Sequence, residues 1–127
     1  MASAAALAEP AADTVSSEFG QSRSEVARLI TTGERVPAGT NGGVTLVGSS
    51  AGFVAALLVG LVGAAGGLIA REALWATVTA GTLGMIADSY LGAMFEGRNL
   101  NNDAVNFLGT LCAALAGATG WHLTAGR

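Results

Sequence analysis

The chain has 127 residues, half of them apolar, with 19 glycines, only 12% charged residues, no lysine and a net charge of −3. A soluble domain carries about 25% charged residues, so the composition excludes an ordinary soluble fold and indicates one integral membrane domain. The acidic balance, with no cluster of basic residues, excludes a nucleic-acid binder, and the single Cys112 excludes a disulfide framework or a paired-cysteine metal site.

The first twelve residues are alanine-rich, with Glu9 and Pro10 and no basic stretch, which is not the pattern of a cleaved signal peptide. Asp13 to Phe19 is expected to form one or two helical turns, with Asp13, Ser16 and Ser17 on one side. Gln21 to Thr32 is polar and carries Arg23, Glu25 and Arg28. Then comes Pro37-Ala38-Gly39-Thr40-Asn41-Gly42-Gly43, a stretch in which proline removes a donor and glycines oppose helix. Such a turn exposes successive backbone N–H groups, with the Thr40 hydroxyl and Asn41 amide beside them, and concave N–H sets bind anions, phosphate above all. A plain loop leading to the membrane surface is the competing reading.

Three long runs follow, and they define the expected architecture. Val44 to Ala70 has no ionisable side chain, Ala73 to Phe95 has only Asp88, and Ala104 to Ala125 has none if His122 is neutral. Each is long enough to cross the hydrocarbon, which needs about 20 residues. The expected fold is all-α: residues 1–43 form a polar segment with a short helix, and residues 44–125 form three transmembrane helices. Small residues at Ser49, Gly52, Ala56, Gly60, Gly63 and Gly67 make a stripe on the first span, with a GxxxG pair at its end. This suits helix packing or a homo-oligomer. Arg71-Glu72 is a short hinge, so the second span returns antiparallel. Gly81, Gly84, Asp88 and Gly92 share a face on the second span; Asn102, Asn106, Gly109, Ala113 and Gly117 share one on the third. Cys112 is expected as a small packing residue, and Trp121 and His122 as an interfacial pair. Arg23, Arg28, Arg35 and Arg98 fall on one side of the membrane and Arg71 and Arg127 on the other, which makes the glycine-rich side cytoplasmic in a multi-pass cell-membrane protein.

Asp88 is the most informative residue, about 10 Å inside its span by helix rise. A carboxylate there faces a polar cavity or pairs with a cation; the alternative is a protonated side chain bonded to a neighbouring helix. Asp13, Glu18, Asp88 and Asp103 fall on or near one side of the membrane. Magnesium takes one or two carboxylates plus phosphate oxygens and water. Asp13, Glu18, Asp88 and Asp103 are therefore the candidate metal ligands, with Asp13 and Asp88 as the catalytic pair. Gly39, Thr40, Asn41, Gly42 and Gly43 are the candidate phosphate cradle, and Asn102 and Asn106 complete the polar pocket, with a few arginines nearby. Asp103 has an alternative as a helix cap, and Glu96 as a solvated loop charge. The triplets Ala12-Asp13-Thr14 and Ala87-Asp88-Ser89 echo one another, which pairs Asp13 with Asp88. No phosphate-binding loop with lysine, nucleophile elbow or HExxH site is present.

Five stretches resemble, in order, the motifs of one integral-membrane family: Ala12 to Gly20, Leu29 to Thr32, Pro37 to Val44, Ala87 to Ala93 and Asn101 to Leu108. This is the transmembrane-protein-19-like family, which includes a plant chloroplast phytyl-phosphate kinase; the likeness runs from about Ala11 to Gly117. The resemblance implies a polytopic membrane protein that uses a nucleoside triphosphate, CTP or ATP, with magnesium on an isoprenoid or lipid phosphate. Members of that family are longer, with several spans before the Asp-Thr motif. The expectation is therefore an enzyme that works with a separate N-terminal half, against a non-enzymatic transporter, assembly subunit or inactive remnant. Glu34-Arg35 stands where the family has a more basic pair.

Cysteines introduced at Gln21 and Asn99, in a Cys112→Ala background, are expected to react with an impermeant thiol reagent from the cytoplasmic side only. Labelling of both from the other side reverses the orientation.

Overall fold

The computed structural model describes residues 1–125, with side chains through Gly120. Helix α1 spans Ala2–Arg23; a small sheet follows, with β1 at Val26–Leu29, β2 at Arg35–Pro37 and β3 at Gly43–Val44; then come α2 at Leu46–Ala65, α3 at Leu74–Phe95 and α4 at Asn102–Ala125. The expected one or two turns at 13–19 are in fact 22 residues of continuous helix that run through Pro10. Alanine is the best helix former, and burial of Ala5, Ala8, Glu9 and Ala12 on one face offsets the bond that Pro10 removes. Pro10 itself is on the exposed side.

This helix is the centre of the bundle, touching α2, α3 and α4. It is no polar appendage, and the expected division at residue 43 does not describe the packing. Contacts along its length give the directions. A Cβ built on Gly81 would lie 2.7 Å from the Ala8 Cβ, and one on Gly84 would lie 2.6 Å from the Glu9 Cγ, so α3 runs parallel to α1. Gly117 meets Ala5 and Gly109 meets Glu9, so α4 runs antiparallel to it. On α2, Gly52 meets Ala12 and Met85 while Gly60 meets Leu74 and Val78, which makes α2 antiparallel to both α1 and α3. The return after the Arg71 hinge is thus as expected. Side chains no larger than a methyl group let these backbones approach closely, as small residues do in helix bundles in lipid.

The small stripe on α2 is used inside the chain. Gly48, Gly52, Ala56, Gly60 and Gly63 are buried, so the stripe begins at Gly48 rather than Ser49. Gly67 lies past the end of α2 in the left-handed region, at φ 71°, and the GxxxG pair is therefore not on one helix. Cys112 is exposed, on the outer face of α4 rather than in the packing. The side chains of Trp121 and His122, and all of Arg127, lie outside the described residues.

The all-helical expectation is corrected between β1 and β3. The order is β2-β1-β3, with Ala27 opposite Val36 and Leu29 opposite Gly43, all antiparallel. Gly33, at φ 74°, lets the β1–β2 hairpin turn, and the Leu29 N–H donates to the Glu34 carbonyl at 2.9 Å. The Thr45 hydroxyl then accepts from the Gly48 N–H at 3.0 Å and starts α2; Asn101 starts α4 in the same way, accepting from Ala104 at 2.9 Å.

Among the described helices α2 is the one whose length and mean hydropathy, 2.1, suit a bilayer crossing. It presents Val54, Leu58, Leu61 and Val62 outward. On this criterion the first of the three expected spans is matched, while α3, with Asp88, Ser89 and Tyr90, and α4, with Asn102, Asp103 and Asn106, do not reach it.

Gly81→Val and Gly84→Val place methyl groups where Ala8 and Glu9 already sit. Each is expected to lower stability by about 1–3 kcal/mol or more, while Leu83→Val on the exposed side of α3 changes it by less than about 0.5 kcal/mol. Thermal unfolding in detergent checks this, and equal losses at all three positions would contradict the packing described.

Candidate functional site

At one end of the bundle the C-terminal part of α1, the sheet, the start of α2, the end of α3 and the start of α4 enclose a cavity of about 330 Å³. Local geometry sets each wall. The glycine-rich turn rests directly on α3: a Cβ on Gly42 would collide with Ala93 and lie 2.7 Å from the Ser89 carbonyl oxygen. Gly42 also has φ 73°, so two independent constraints require glycine there. This contact sets the turn beside Ser89, one residue beyond Asp88. Asp13 reaches the same space because α1 and α3 are parallel and in step.

The structure brings Asp13, Glu18 and Asp88 to this cavity, with Gly39, Thr40, Asn41, Gly42 and Gly43 on one wall and Asn102 and Asn106 on another. The echo between Ala12-Asp13-Thr14 and Ala87-Asp88-Ser89 thus has a spatial counterpart: two parallel helices carry their aspartates to one site. Asp103 is not among the lining residues; it is exposed in the first turn of α4, where an acid favours the helix dipole. Glu96, read from the sequence as a loop charge, does line the cavity. No arginine does, in contrast to the expected few.

The turn offers fewer free groups than its sequence suggested. The Thr40 N–H donates to the Pro37 carbonyl at 3.2 Å and the Gly43 N–H to the Thr40 carbonyl at 2.8 Å. The Thr40 hydroxyl also donates to Pro37, at 2.7 Å. Among the described residues, the N–H groups of Gly39, Asn41 and Gly42 have no internal partner.

Electrostatically the site is lopsided. Four carboxylates, Asp13, Glu18, Asp88 and Glu96, line it, with no cationic side chain among the lining residues. Asp88 is 91% buried (9% exposed), lies within electrostatic reach of Asp13, Glu9 and Glu96, and its Oδ1 has no hydrogen-bond partner. A buried anionic oxygen without a partner is costly. A cation relieves that cost.

Glu9 was missed by sequence reasoning. It is 1% exposed, and its Oε2 accepts from the Thr110 hydroxyl at 2.6 Å. A Cβ on Gly109 would lie 3.0 Å from both the Asp88 Oδ1 and the Glu9 Oε1. Two carboxylates therefore face the same small gap beneath the cavity. The signal was present in the spacing of Ala5, Ala8, Glu9 and Ala12, which puts Glu9 on the small-residue face. Among the described residues no group of three or more acidic, histidine or cysteine side chains is close enough to cage a metal. A magnesium ion fits only if phosphate oxygens and water complete its shell, which is its usual habit.

Comparison with known proteins gives three kinds of result. A model of the family described as Integral membrane protein DUF92 matches residues 1–114. An uncharacterized membrane protein of Methanocaldococcus jannaschii is 41% identical over 113 residues, which is 87% of this chain and 47% of that one. The chloroplastic protein VTE6 of Arabidopsis thaliana is 36% identical over 111 residues, 81% of this chain and 33% of its own length. An uncharacterized membrane protein of Synechocystis is 34% identical over 104 residues, covering 80% and 40%. The chain thus spans less than half the length of these relatives. No solved structure matches.

Thr110→Val leaves the Glu9 Oε2 buried without its donor, and is expected to cost about 1–3 kcal/mol. Added to Glu9→Gln, the same change is expected to cost measurably less, because the two residues form one unit. Strict additivity in thermal unfolding would show that Glu9 gains nothing from Thr110.

Proposed function

The chain belongs to the Integral membrane protein DUF92 family, and on that premise we propose that it is part of a magnesium-dependent phosphotransferase acting on an isoprenoid or lipid phosphate. The observation that carries the reading is the acidic cavity on which Asp13, Asp88 and the Gly39–Gly43 turn converge. An anionic substrate cannot enter a space with four carboxylates and no cationic side chain unless metal ions accompany it. In this reading the bundle is multi-pass, its cavity opens to the cytoplasmic face of the cell membrane, and a nucleoside triphosphate, CTP or ATP, is the donor.

Asp13 and Asp88 would hold magnesium, which supplies charge neutralisation of the phosphates. Glu18 and Glu96 stand at the wall, where they admit phosphate only in company with metal. The free amides of Gly39, Asn41 and Gly42 would orient phosphate oxygens, and the Asn102 and Asn106 amides would position the acceptor. Catalysis of this kind is placement plus charge stabilisation. The lipid chain of the acceptor would leave the cavity along the apolar bundle. The resemblance of the sequence motifs to a family that includes a phytyl-phosphate kinase favours the isoprenoid class, and a companion segment of the kind that the longer relatives carry would complete the enzyme.

A second reading is favoured by the Glu9–Asp88 pair alone. Two carboxylates facing one gap inside a membrane bundle suit a cation carrier as well as an enzyme. The two readings separate on Glu9: a carrier requires it directly, whereas the enzyme requires the cavity.

The expected result is magnesium-dependent transfer of labelled phosphate from CTP or ATP to phytyl or geranylgeranyl phosphate by the purified protein, with or without a companion half. Asp88→Asn keeps the side-chain shape and removes the anion. It is expected to abolish transfer and magnesium-dependent lipid-phosphate binding while leaving the thermal stability intact. Binding unchanged in Asp88→Asn, or absent from the wild type with a companion half supplied, overturns the enzyme. Cation uptake into proteoliposomes that Glu9→Gln eliminates would establish the carrier.

A further inference from the structure

The outer face of the sheet poses a different electrostatic problem from the cavity. Side chains alternate along the strands: Ala27, Leu29, Val36 and Gly43 take one face, and Val26, Arg28, Arg35 and Val44 the other. Arg28 and Arg35 are directly opposed across the β1–β2 pair, so both guanidiniums project from the same side at neighbouring positions. Like charges directly opposed destabilise a sheet. Nothing in the described part of the chain relieves this. Arg28 donates through Nη1 to the Gly33 carbonyl at 2.9 Å, and among the described residues neither guanidinium has an acidic partner. Glu25 and Glu34, adjacent in sequence to these strands, fall on the opposite side by the same alternation.

The walls beside the arginines are apolar and open. A groove of about 480 Å³ is bounded by Arg28 and Arg35 together with Val26, Val44, Leu46 and Val47. Leu46 is 86% exposed, Val26 53% and Val47 46%. The height of this groove is set by the fold: Val44, the partner of Arg28 on β3, is two residues before Leu46, the first residue of the helix that suits a bilayer crossing. With α2 as a bilayer crossing, the arginine pair lies at the level where hydrocarbon gives way to headgroups. A doubly cationic pair that lacks a counter-ion, above exposed leucine and valine, matches the chemistry of a phosphate bearing an apolar chain. Paired guanidinium forks bind phosphate oxygens well, and juxtamembrane arginines attract anionic lipid.

We propose that this outer face is a binding site for an anionic phospholipid, with its headgroup phosphate between the Arg28 and Arg35 guanidiniums and the start of its acyl chains against Val26, Leu46 and Val47. The bound lipid neutralises the like-charge pair and fixes the sheet, and with it the glycine-rich turn, at the membrane surface. The site is independent of the phosphotransferase reading, because it uses none of the cavity carboxylates.

The test uses the full chain in a non-ionic detergent, titrated with short-chain phosphatidylglycerol and, separately, with phosphatidylcholine of the same chain length; bound lipid is read by native mass spectrometry and by thermal shift. Phosphatidylglycerol is expected to bind at least about tenfold more tightly than phosphatidylcholine. Arg28→Gln and Arg35→Gln are each expected to weaken phosphatidylglycerol by roughly fivefold, and the double variant to remove the preference while unfolding no earlier than wild type in lipid-free detergent. If the glutamine variants fail to fold, the Arg28→Lys, Arg35→Lys protein keeps the charge and loses the forked geometry, and is expected to retain only part of the preference. Equal binding of both lipids by the wild type overturns the proposal, as does an undiminished preference in the double glutamine variant. Competition by inorganic phosphate as strong as that by phosphatidylglycerol would also overturn it, since the apolar walls would then contribute nothing.

Discussion

Close approach of α1 to the three other helices is the constraint from which the rest follows. Ala5 and Ala8 present methyl groups to Gly117 and Gly81, and Ala12 presents its carbonyl oxygen to Gly52, and at these separations larger side chains would force the helices apart. Because the fit is close and α3 runs parallel to α1, Asp13 and Asp88 arrive at one height. Glu9, carried on the same face of α1, is driven into the interior alongside them. A helix of alanines looks unremarkable as sequence, yet it decides which carboxylates meet.

The molecule keeps its charges apart by sheet face and by helix end. Acids gather in the cavity, where Asp88 keeps an oxygen without a partner, and two arginines gather on the outer face of the sheet. Each side is electrostatically incomplete by itself. Small ligands of opposite sign on the two faces would restore balance, a metal with phosphate on one and lipid phosphate on the other.

Much of the candidate site was legible in sequence because polar residues in apolar runs have few tolerable places. Asp88 was identified from that rarity, Gly39 to Gly43 from a proline- and glycine-rich turn that exposes backbone N–H groups, Asn102 and Asn106 from sharing a helical face with small residues, and the echoing triplets paired Asp13 with Asp88. The sheet was not identified, although Val26-Ala27-Arg28-Leu29 and Arg35-Val36-Pro37 flank a loop with Gly33; strands this short give little periodicity to read. Only one or two turns of helix α1 were expected from the sequence, because its stabilisation comes from tertiary contacts that local propensity does not register. Asp103 was grouped with the metal ligands because it falls on the same side of the membrane as Asp13, Glu18 and Asp88, but one residue along a helix from Asn102 turns a side chain through about 100°, and its place is outside the cavity.

The parallel run of α1 and α3 also gives the molecule a front and a back. Both aspartate-bearing helices finish at the cavity end, whereas at the opposite end Ala5 and Met1 lie against Gly117 and the Thr77 hydroxyl reaches the Met1 sulfur. Among the described residues the four cavity-lining carboxylates share one mouth, which gives the bundle a direction along its helix axes. A ligand that enters through that mouth approaches the helices from one end alone, so whichever compartment that end faces is the one that supplies it.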